Sequence, residues 1–286
     1  MTWATPYGRP VLDASMIRVG SLDTHVVDEG AGPAVLLLHG SGPGVSAEAN
    51  WRLTIPALVA AGHRVVAPDL VGFGATVPPS DHEYTMESWL AHVVGLLDEL
   101  GLDQVDVVGN SFGGALALRL VVEHPERVRS VVLMGAAGVD FPITDGLEAV
   151  WGYRASAEEM RRVMGVFAFD TSLLTEDLAR LRYEASVAGG ADERFAAMFP
   201  APRQRWVGAM ATTDDELRAI SVPVLAVHGR EDRVIPTSTS THIFSVVPDA
   251  RLHLFGQCGH WTQIEKADEF NSLVVSFLDH VGGQRV

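Results

Sequence analysis

A mostly parallel α/β fold is what this chain predicts, and three observations predict it. Short, continuous apolar runs alternate with amphipathic stretches, the rhythm of a sheet covered by helices on both faces. One of those runs, Val105-Asp106-Val107-Val108, passes directly into Gly109-Asn110-Ser111-Phe112-Gly113 and then into a helical pattern over Ala115–Glu123. From Gly138 to about Ala211 the alternation stops, and helical patterns follow one another with no strand between them. The expected organisation is a core domain in two parts, residues 1–137 and 212–286, interrupted by a helical lid over residues 138–211.

Taken in order, Val35-Leu36-Leu37-Leu38-His39 reads as a buried strand closed by Gly40, followed by a helical segment around Trp51–Ala61. Arg64–Asp69 is the next strand, then Val105–Gly109 and Ser130–Met134, with a helix between them. Val222–Gly229 and Leu252–Phe255 complete the series. Such unbroken apolar runs fit central parallel strands better than strands with one wet face. Within the lid, Ala157–Phe167, Glu176–Ser186 and Glu193–Phe199 read as helices. Ala188-Gly189-Gly190 and Pro200-Ala201-Pro202 are breaks between them.

Composition narrows the classes. A chain of 286 residues, 47% hydrophobic and 20% charged, buries a large core and suits one domain with an insertion. A net charge of −15 and the lack of a basic stripe argue against nucleic acid and other polyanions. Cys258 is the single cysteine, which excludes an intrachain disulfide and suits a reducing compartment. Met1–Pro6 has no basic stretch followed by an apolar one, so no secretory leader is expected. No apolar run approaches the ~20 residues needed to span a bilayer. A cytoplasmic chain without membrane contact is the expectation.

The chemistry centres on Gly109–Gly113, which reads G-x-S-x-G. By itself the pentapeptide also fits a glycine-rich turn with a solvated serine. A strand before it and a helix after it are the context of a nucleophile elbow, where a strained turn lifts the hydroxyl above the sheet edge. A serine hydroxyl is a poor nucleophile at neutral pH and needs a base, and the base needs an orienting acid. On this scaffold the chain order is Ser, Asp, His. Asp232, in the loop Arg230–Arg233 after a strand, is the acid, with Glu231 as rival and a surface ion pair as the alternative role. His260, in Gly256–His260 after the last strand, is the base.

His39 is expected to play a structural part near the oxyanion turn. His228 lies within a strand, and His25, His63, His82, His92 and His124 have no partner at useful spacing, which marks them as packing or surface residues. The oxyanion donors are expected to be the N–H of Phe112 and the N–H of Ser41, the latter in His39-Gly40-Ser41-Gly42-Pro43-Gly44. A dinucleotide loop is the competing reading of these glycines, but the G-x-G-x-x-G spacing with its acidic partner is not met. Neither H-E-x-x-H nor a Cys/His cluster is present, so no metal and no cofactor is expected.

Together these residues resemble the α/β-hydrolases, and more narrowly the meta-cleavage product hydrolases of aromatic catabolism. The resemblance rests on His39–Gly44 followed by Asn50-Trp51, on Gly109–Gly114, and on Gly259-His260-Trp261. Phe141–Thr144 and Phe195–Trp206 look like the 2-hydroxymuconate-semialdehyde hydrolases within that family. The similarity covers nearly the whole chain. It implies an α/β-hydrolase fold and hydrolysis of a carbon–carbon bond in a 2-hydroxy-6-oxo-hexa-2,4-dienoate, with a small-molecule partner and a homo-oligomeric assembly. It also implies that Gly42, Asn50, Asn110 and Trp261 bind substrate; turn-stabilising hydrogen bonds are the alternative role for the two asparagines. Phe167, Phe169, Leu174, Met198 and Phe199 are expected to be lid apolars, one or two of them facing the substituent on C6. Relatives carry a lid arginine expected to fall at Ala188, so Arg182, Arg194 or another lid arginine must reach the pocket, or that end of the substrate is bound differently. Rival functions are the same reaction on a bulkier aryl substrate, a plain carboxylesterase, and a non-catalytic ligand-binding scaffold.

Overall fold

The computed structural model describes residues 14–283; Met1–Pro6 lies outside them. Eight strands form one sheet in the order β1-β2-β4-β3-β5-β6-β7-β8. They are β1 (Ala14–Val19), β2 (Leu22–Glu29), β3 (Ala34–Leu38), β4 (Arg64–Pro68), β5 (Val105–Asn110), β6 (Val128–Met134), β7 (Val224–Gly229) and β8 (Ala250–Phe255). From β4 through β8 every neighbouring pair is parallel, whereas β1–β2 and β2–β4 are antiparallel.

Each long apolar run is a strand buried along its whole length in the middle of the sheet, as in β3, β5 and β7. The sequence reading missed β1 and β2. They lie at one edge, interleave Arg18, Asp23 and Asp28 with apolar residues, and turn at Gly20 with φ of 58°. A strand with one wet face offers no continuous run. The reading of Leu252–Phe255 as a buried strand needs correction as well. β8 is the other edge, and Leu254 on it is 43% exposed.

The helices are α1 (Ala47–Trp51), α2 (Ile55–Ala60), α3 (Met86–Glu99), α4 (Phe112–Glu123), α5 (Asp145–Trp151), α6 (Ala157–Phe167), α7 (Glu176–Val187), α8 (Ala191–Met198), α9 (Gln204–Ala209), α10 (Asp214–Ala219), α11 (Ser238–Val246), α12 (Thr262–Glu265) and α13 (Ala267–Gly283). The single helix expected around Trp51–Ala61 is two, α1 and α2, because Pro56 has no N–H to continue a helix and instead opens one. Between β6 and β7 the described chain is helical, and Thr144, Ser156 and Thr175 cap α5, α6 and α7 through their hydroxyls. Aromatic contacts join this stretch to α3 and α4. Phe199 stacks on Trp151 at 4.4 Å and on Trp89 at 6.2 Å, and meets Phe112 at 6.0 Å.

Candidate active site

Ser111 stands between β5 and α4 with φ of 53° and ψ of −114°. A non-glycine residue holds such a conformation only where its surroundings dictate it. Here the Ser111 N–H donates to the Met134 carbonyl at 3.0 Å, and its own carbonyl accepts from Gly114 at 2.9 Å and Ala137 at 3.1 Å. A methyl group at Gly113 would collide with the backbone of Leu38 and His39, and one at Gly109 with the backbone of Gly113. The glycines are therefore required by close approach, which lets β5 and α4 crowd together beneath the serine. Phe112 opens α4, where an N–H has no intrahelical acceptor.

Two loops at the carboxyl ends of β7 and β8 bring Asp232 and His260 together. Asp232 Oδ2 lies 2.6 Å from His260 Nδ1, with both side chains buried. Asp232 Oδ1 accepts the N–H groups of Val234 at 2.7 Å and Ile235 at 3.0 Å. Burial opposes the charge on Asp232, but His260 and His228 beside it outweigh burial and hold the carboxyl far below the usual carboxylate range. Glu231 turns elsewhere, to Arg230 at 2.7 Å and the Cys258 N–H at 3.0 Å. The His260 N–H donates to the Phe167 carbonyl at 2.7 Å, and its ring stacks on Phe167 at 5.7 Å. Glu265 clamps the same region, accepting from Gly259 at 2.8 Å and from Phe169 and Asp170 at 2.9 and 2.8 Å.

Ser111 and His260 line one cavity, together with Ser41, Gly42, Asn50, Asn110 and Trp261. Ser41 Oγ accepts the Trp151 indole N–H at 3.0 Å, which ties α5 to the loop after β3. His39 fixes that loop from below. Its Nδ1–H donates to the Gly40 carbonyl at 2.8 Å and its Nε2 accepts from the Leu70 N–H at 3.0 Å, in full burial that lowers its pKa. Asn110 donates to the Met134 carbonyl at 3.2 Å, the turn-stabilising bond that was its alternative role, while still lining the cavity. Trp261 stacks nearly flat on Phe167, 5.2 Å apart at 12°.

The candidate lid arginines occupy different places. Ala188 does not line this cavity, whereas Arg182 of α7, 7% exposed, does, and it donates to the Pro43 carbonyl at 3.1 Å. Arg194 points elsewhere, donating to the Gly189 carbonyl at 2.5 Å. The sequence reading also missed Gln263, buried at 1% exposure and donating to the Asn50 carbonyl at 3.3 Å. Among the described residues, Asn50 Nδ2 and Gln263 Oε1 are buried without a hydrogen-bond partner, so this wall carries spare polar capacity. Its one sequence signal is the turn of α12 directly after His260. The apolar part of the lining is Leu147, Val150, Phe167, Leu178 and Val234. Of the other expected lid apolars, Met198 and Phe199 are buried in the core away from the cavity, and Phe169 is 45% exposed.

Three histidines assigned to packing or surface need correction. His25 pairs with buried Asp69 at 3.0 Å, His92 shares a hydrogen bond with Thr24 at 2.7 Å, and His228 lies against Asp232 at 3.1 Å. Spacing along the chain gives no sign of these pairings because each is made across elements or around a turn. Among the described residues, no group of three or more His, Cys, Asp or Glu could hold a metal ion.

A strained serine at a strand–helix turn, set over a mostly parallel sheet and sharing one cavity with an acid-backed histidine, defines the class as an α/β hydrolase. The family described as alpha/beta hydrolase fold matches residues 33–267. The chain is 53% identical to a 2-hydroxymuconate semialdehyde hydrolase of a Pseudomonas sp. over 273 residues, 96% of each chain. It is 54% identical to a 2-hydroxy-6-oxo-2,4-heptadienoate hydrolase of Pseudomonas putida, over 92% of this chain and 95% of that one. A solved meta-cleavage product hydrolase from Pseudomonas fluorescens, a serine-to-alanine mutant complexed with acetates, superposes with a TM-score of 0.92. That structure is 50% identical, covering 93% of this chain and 97% of its own. The chain belongs to the α/β hydrolase family, in its meta-cleavage product hydrolase branch.

Proposed function

We propose that this protein is a cofactor-free serine-type hydrolase of carbon–carbon bonds. Its substrate is a 2-hydroxy-6-oxo-hexa-2,4-dienoate with hydrogen or a small alkyl group on C6, and its products are 2-hydroxypenta-2,4-dienoate and a small carboxylic acid. The observation that carries this reading is one cavity lined by Ser111 and His260 that holds both a cationic and polar set and an apolar set of side chains. Arg182, Asn50 and Gln263 line it, suited to a carboxylate and its neighbouring oxygen, and so do the aliphatic side chains Leu147, Val150, Leu178 and Val234. A plain ester would need no such cationic set. The higher identity to the semialdehyde and heptadienoate hydrolases, 53% and 54%, than to a 6-phenyl dienoate hydrolase, 36%, favours a small C6 substituent over an aryl ring.

A carbanion leaves only if an electron sink receives its charge. Transfer of the 2-hydroxyl proton to C5, carried by His260, makes that sink: a 2-oxo-enone conjugated to the carboxylate. Asp232 holds the His260 Nδ1–H and so leaves Nε2 free to take and give protons. Ser111 attacks C6, its proton passing to His260, and the N–H groups of Ser41 and Phe112 stabilise the resulting oxyanion. The C5–C6 bond breaks, its electron pair moves into the enone, and the 2-oxygen takes the proton back from His260, so that the fragment leaves as the dienol and His260 is again a free base. Water, deprotonated by His260, then hydrolyses the acyl group on Ser111. Trp261, held flat by Phe167, walls the dienoate plane.

The helical segment 138–211 serves as the lid over this cavity, since Phe167, Leu178 and Arg182 come from it. No helix among the described residues is long and apolar enough to cross a membrane. A cytoplasmic homo-oligomer is the setting we infer; Phe244 and Leu254, 47% and 43% exposed near the β8 edge, support association there, and light scattering tests it.

Loss of the yellow dienolate absorbance reads the reaction directly. Purified protein is expected to discharge the colour of the C6-hydrogen and C6-methyl substrates faster than that of the C6-phenyl one. Ser111→Ala is expected to lower kcat by at least about 10³-fold while the substrate still binds. Unchanged colour, or rapid ester turnover without dienoate cleavage, would defeat the reading.

A further inference from the structure

His228 is wholly buried, and the chemistry above makes no use of it. It is the next-to-last residue of β7, and its ring turns toward the acid loop rather than into the sheet core. Nε2 lies 3.1 Å from Asp232 Oδ2 and 3.0 Å from the Ile235 carbonyl oxygen, while Nδ1 lies 2.8 Å from Ser240 Oγ on α11. Both neighbours of Nε2 are acceptors, so Nε2 carries a proton and donates to them. Each Asp232 oxygen therefore accepts two N–H groups: Val234 and Ile235 on Oδ1, His260 and His228 on Oδ2.

Only Oδ2 faces the base, and it is the oxygen that His228 shares. We propose that His228 is a positioning residue of this reaction, which holds Asp232 Oδ2 in line with His260 and tempers the basicity of that oxygen. The proposal rests on the assignment of Ser111, Asp232 and His260 as the working triad. A carboxylate oxygen with a single donor pulls harder on the proton it shares. Without His228, Oδ2 would overstabilise the protonated form of His260, and more enzyme would carry an imidazolium where a free base is needed. Ser240 completes the device, because its hydroxyl occupies Nδ1 and keeps Nε2–H aimed at the acid.

The other ionisable groups around this pair are engaged elsewhere. Glu231 turns to Arg230, and Arg233 donates to the Ala168 carbonyl. Glu265 binds backbone N–H groups, and the Cys258 thiol, pushed up to about 12 by burial, stays neutral near pH 7. On α11, His242 pairs with Asp214. Directly after β6, Gly135 backs Asp232 Oδ2 and His260 Nδ1, and it has no side chain to titrate. A shift on replacing His228 is thus attributable to the bond it makes.

The test compares His228→Leu, which removes the donor, with His228→Gln, whose amide N–H reaches the position of Nε2. Steady-state turnover of the dienoate is followed across pH, and the downfield proton resonance of the His260 Nδ1–H is recorded over the same range. His228→Leu is expected to lower kcat about tenfold, leave KM within about twofold, and raise the acidic limb of the kcat/KM profile by about one pH unit. His228→Gln is expected to restore the limb, and the resonance to move in the Leu variant alone. Ser240→Ala, which leaves the imidazole in place, is expected to move the limb the same way by less, and it serves if His228→Leu does not fold. A limb and resonance at their wild-type positions in both His228→Leu and Ser240→Ala would overturn the proposal. So would equal impairment of His228→Leu and His228→Gln, the mark of mere packing. If wild-type protein fails to cleave the dienoate, the triad's assigned reaction falls, and the resonance still decides whether His228 shares Oδ2.

Discussion

Arg182 shows how much a single side chain decides here. It reaches the cavity from the middle of α7, and its buried guanidinium lies beside Gly42 and donates to the Pro43 carbonyl. A planar fork that binds a carboxylate at two points is not replaced by a point charge. Arg182→Ala is therefore expected to lower kcat/KM about 10- to 100-fold, mostly through KM, and Arg182→Lys to recover only part of it. Steady-state kinetics on the dienoate check this, and an Arg182→Ala enzyme with wild-type KM would remove the arginine from the site. The residue was visible in the sequence only as one of several lid arginines. Neither its charge nor its spacing separates it from Arg194, because what matters is which face of its helix meets the loop after β3.

At the scale of elements, the elbow and α5 determine the site's precision. Gly113 lets α4 run against the end of β3, where an added methyl meets the Leu38 carbonyl. Gly113→Ala is expected to cost more than about 3 kcal/mol or to prevent folding, as chemical denaturation would show. α5 acts more gently, through the bond from Trp151 to Ser41 Oγ. Trp151→Phe keeps the stack on Phe199 and loses that bond. It is expected to cost about 1 kcal/mol in stability and to lower kcat more than KM, since the Ser41 N–H loses its anchor. Equal changes in both constants would instead make the bond a packing feature. The elbow was legible from local sequence because strand, glycine-flanked turn and helix follow one another directly. The Trp151–Ser41 bond was not, because 110 residues separate its partners.

For the whole molecule, buried charge sets how stability responds to pH. Burial opposes the charge on Asp69, but His25, His39 and the N–H groups of Ala75 and Ala47 outweigh burial and hold its carboxyl below the usual range. Asp232 is depressed further. A depressed carboxylate stabilises the fold above its unfolded value of about 3.9, and that stabilisation is lost as pH falls through the folded value. Thermal melts are thus expected to drop steeply below about pH 4. Asp69→Asn is expected to flatten that acid slope and to cost about 3 kcal/mol near neutrality. His25 works in the opposite sense. The Asp69 carboxylate 3.0 Å from its ring raises its pKa, so its share is present below about pH 6.5 and fades as pH rises through the raised value. An Asp69→Asn protein with the wild-type acid slope would refute this account.

Local order was enough to determine the parallel strands, the helices from α6 to α8, the nucleophile turn and the residue types able to act as acid and base. In those cases the physical cause, a buried run or a glycine-permitted turn, lies within a few neighbouring residues. Folding in three dimensions decided the rest: the edge hairpin, the choice of Arg182, the spare polar groups of Asn50 and Gln263, and the setting of His228 on Asp232. Each of these depends on which surfaces meet when distant segments pack, and a one-dimensional pattern does not contain that information.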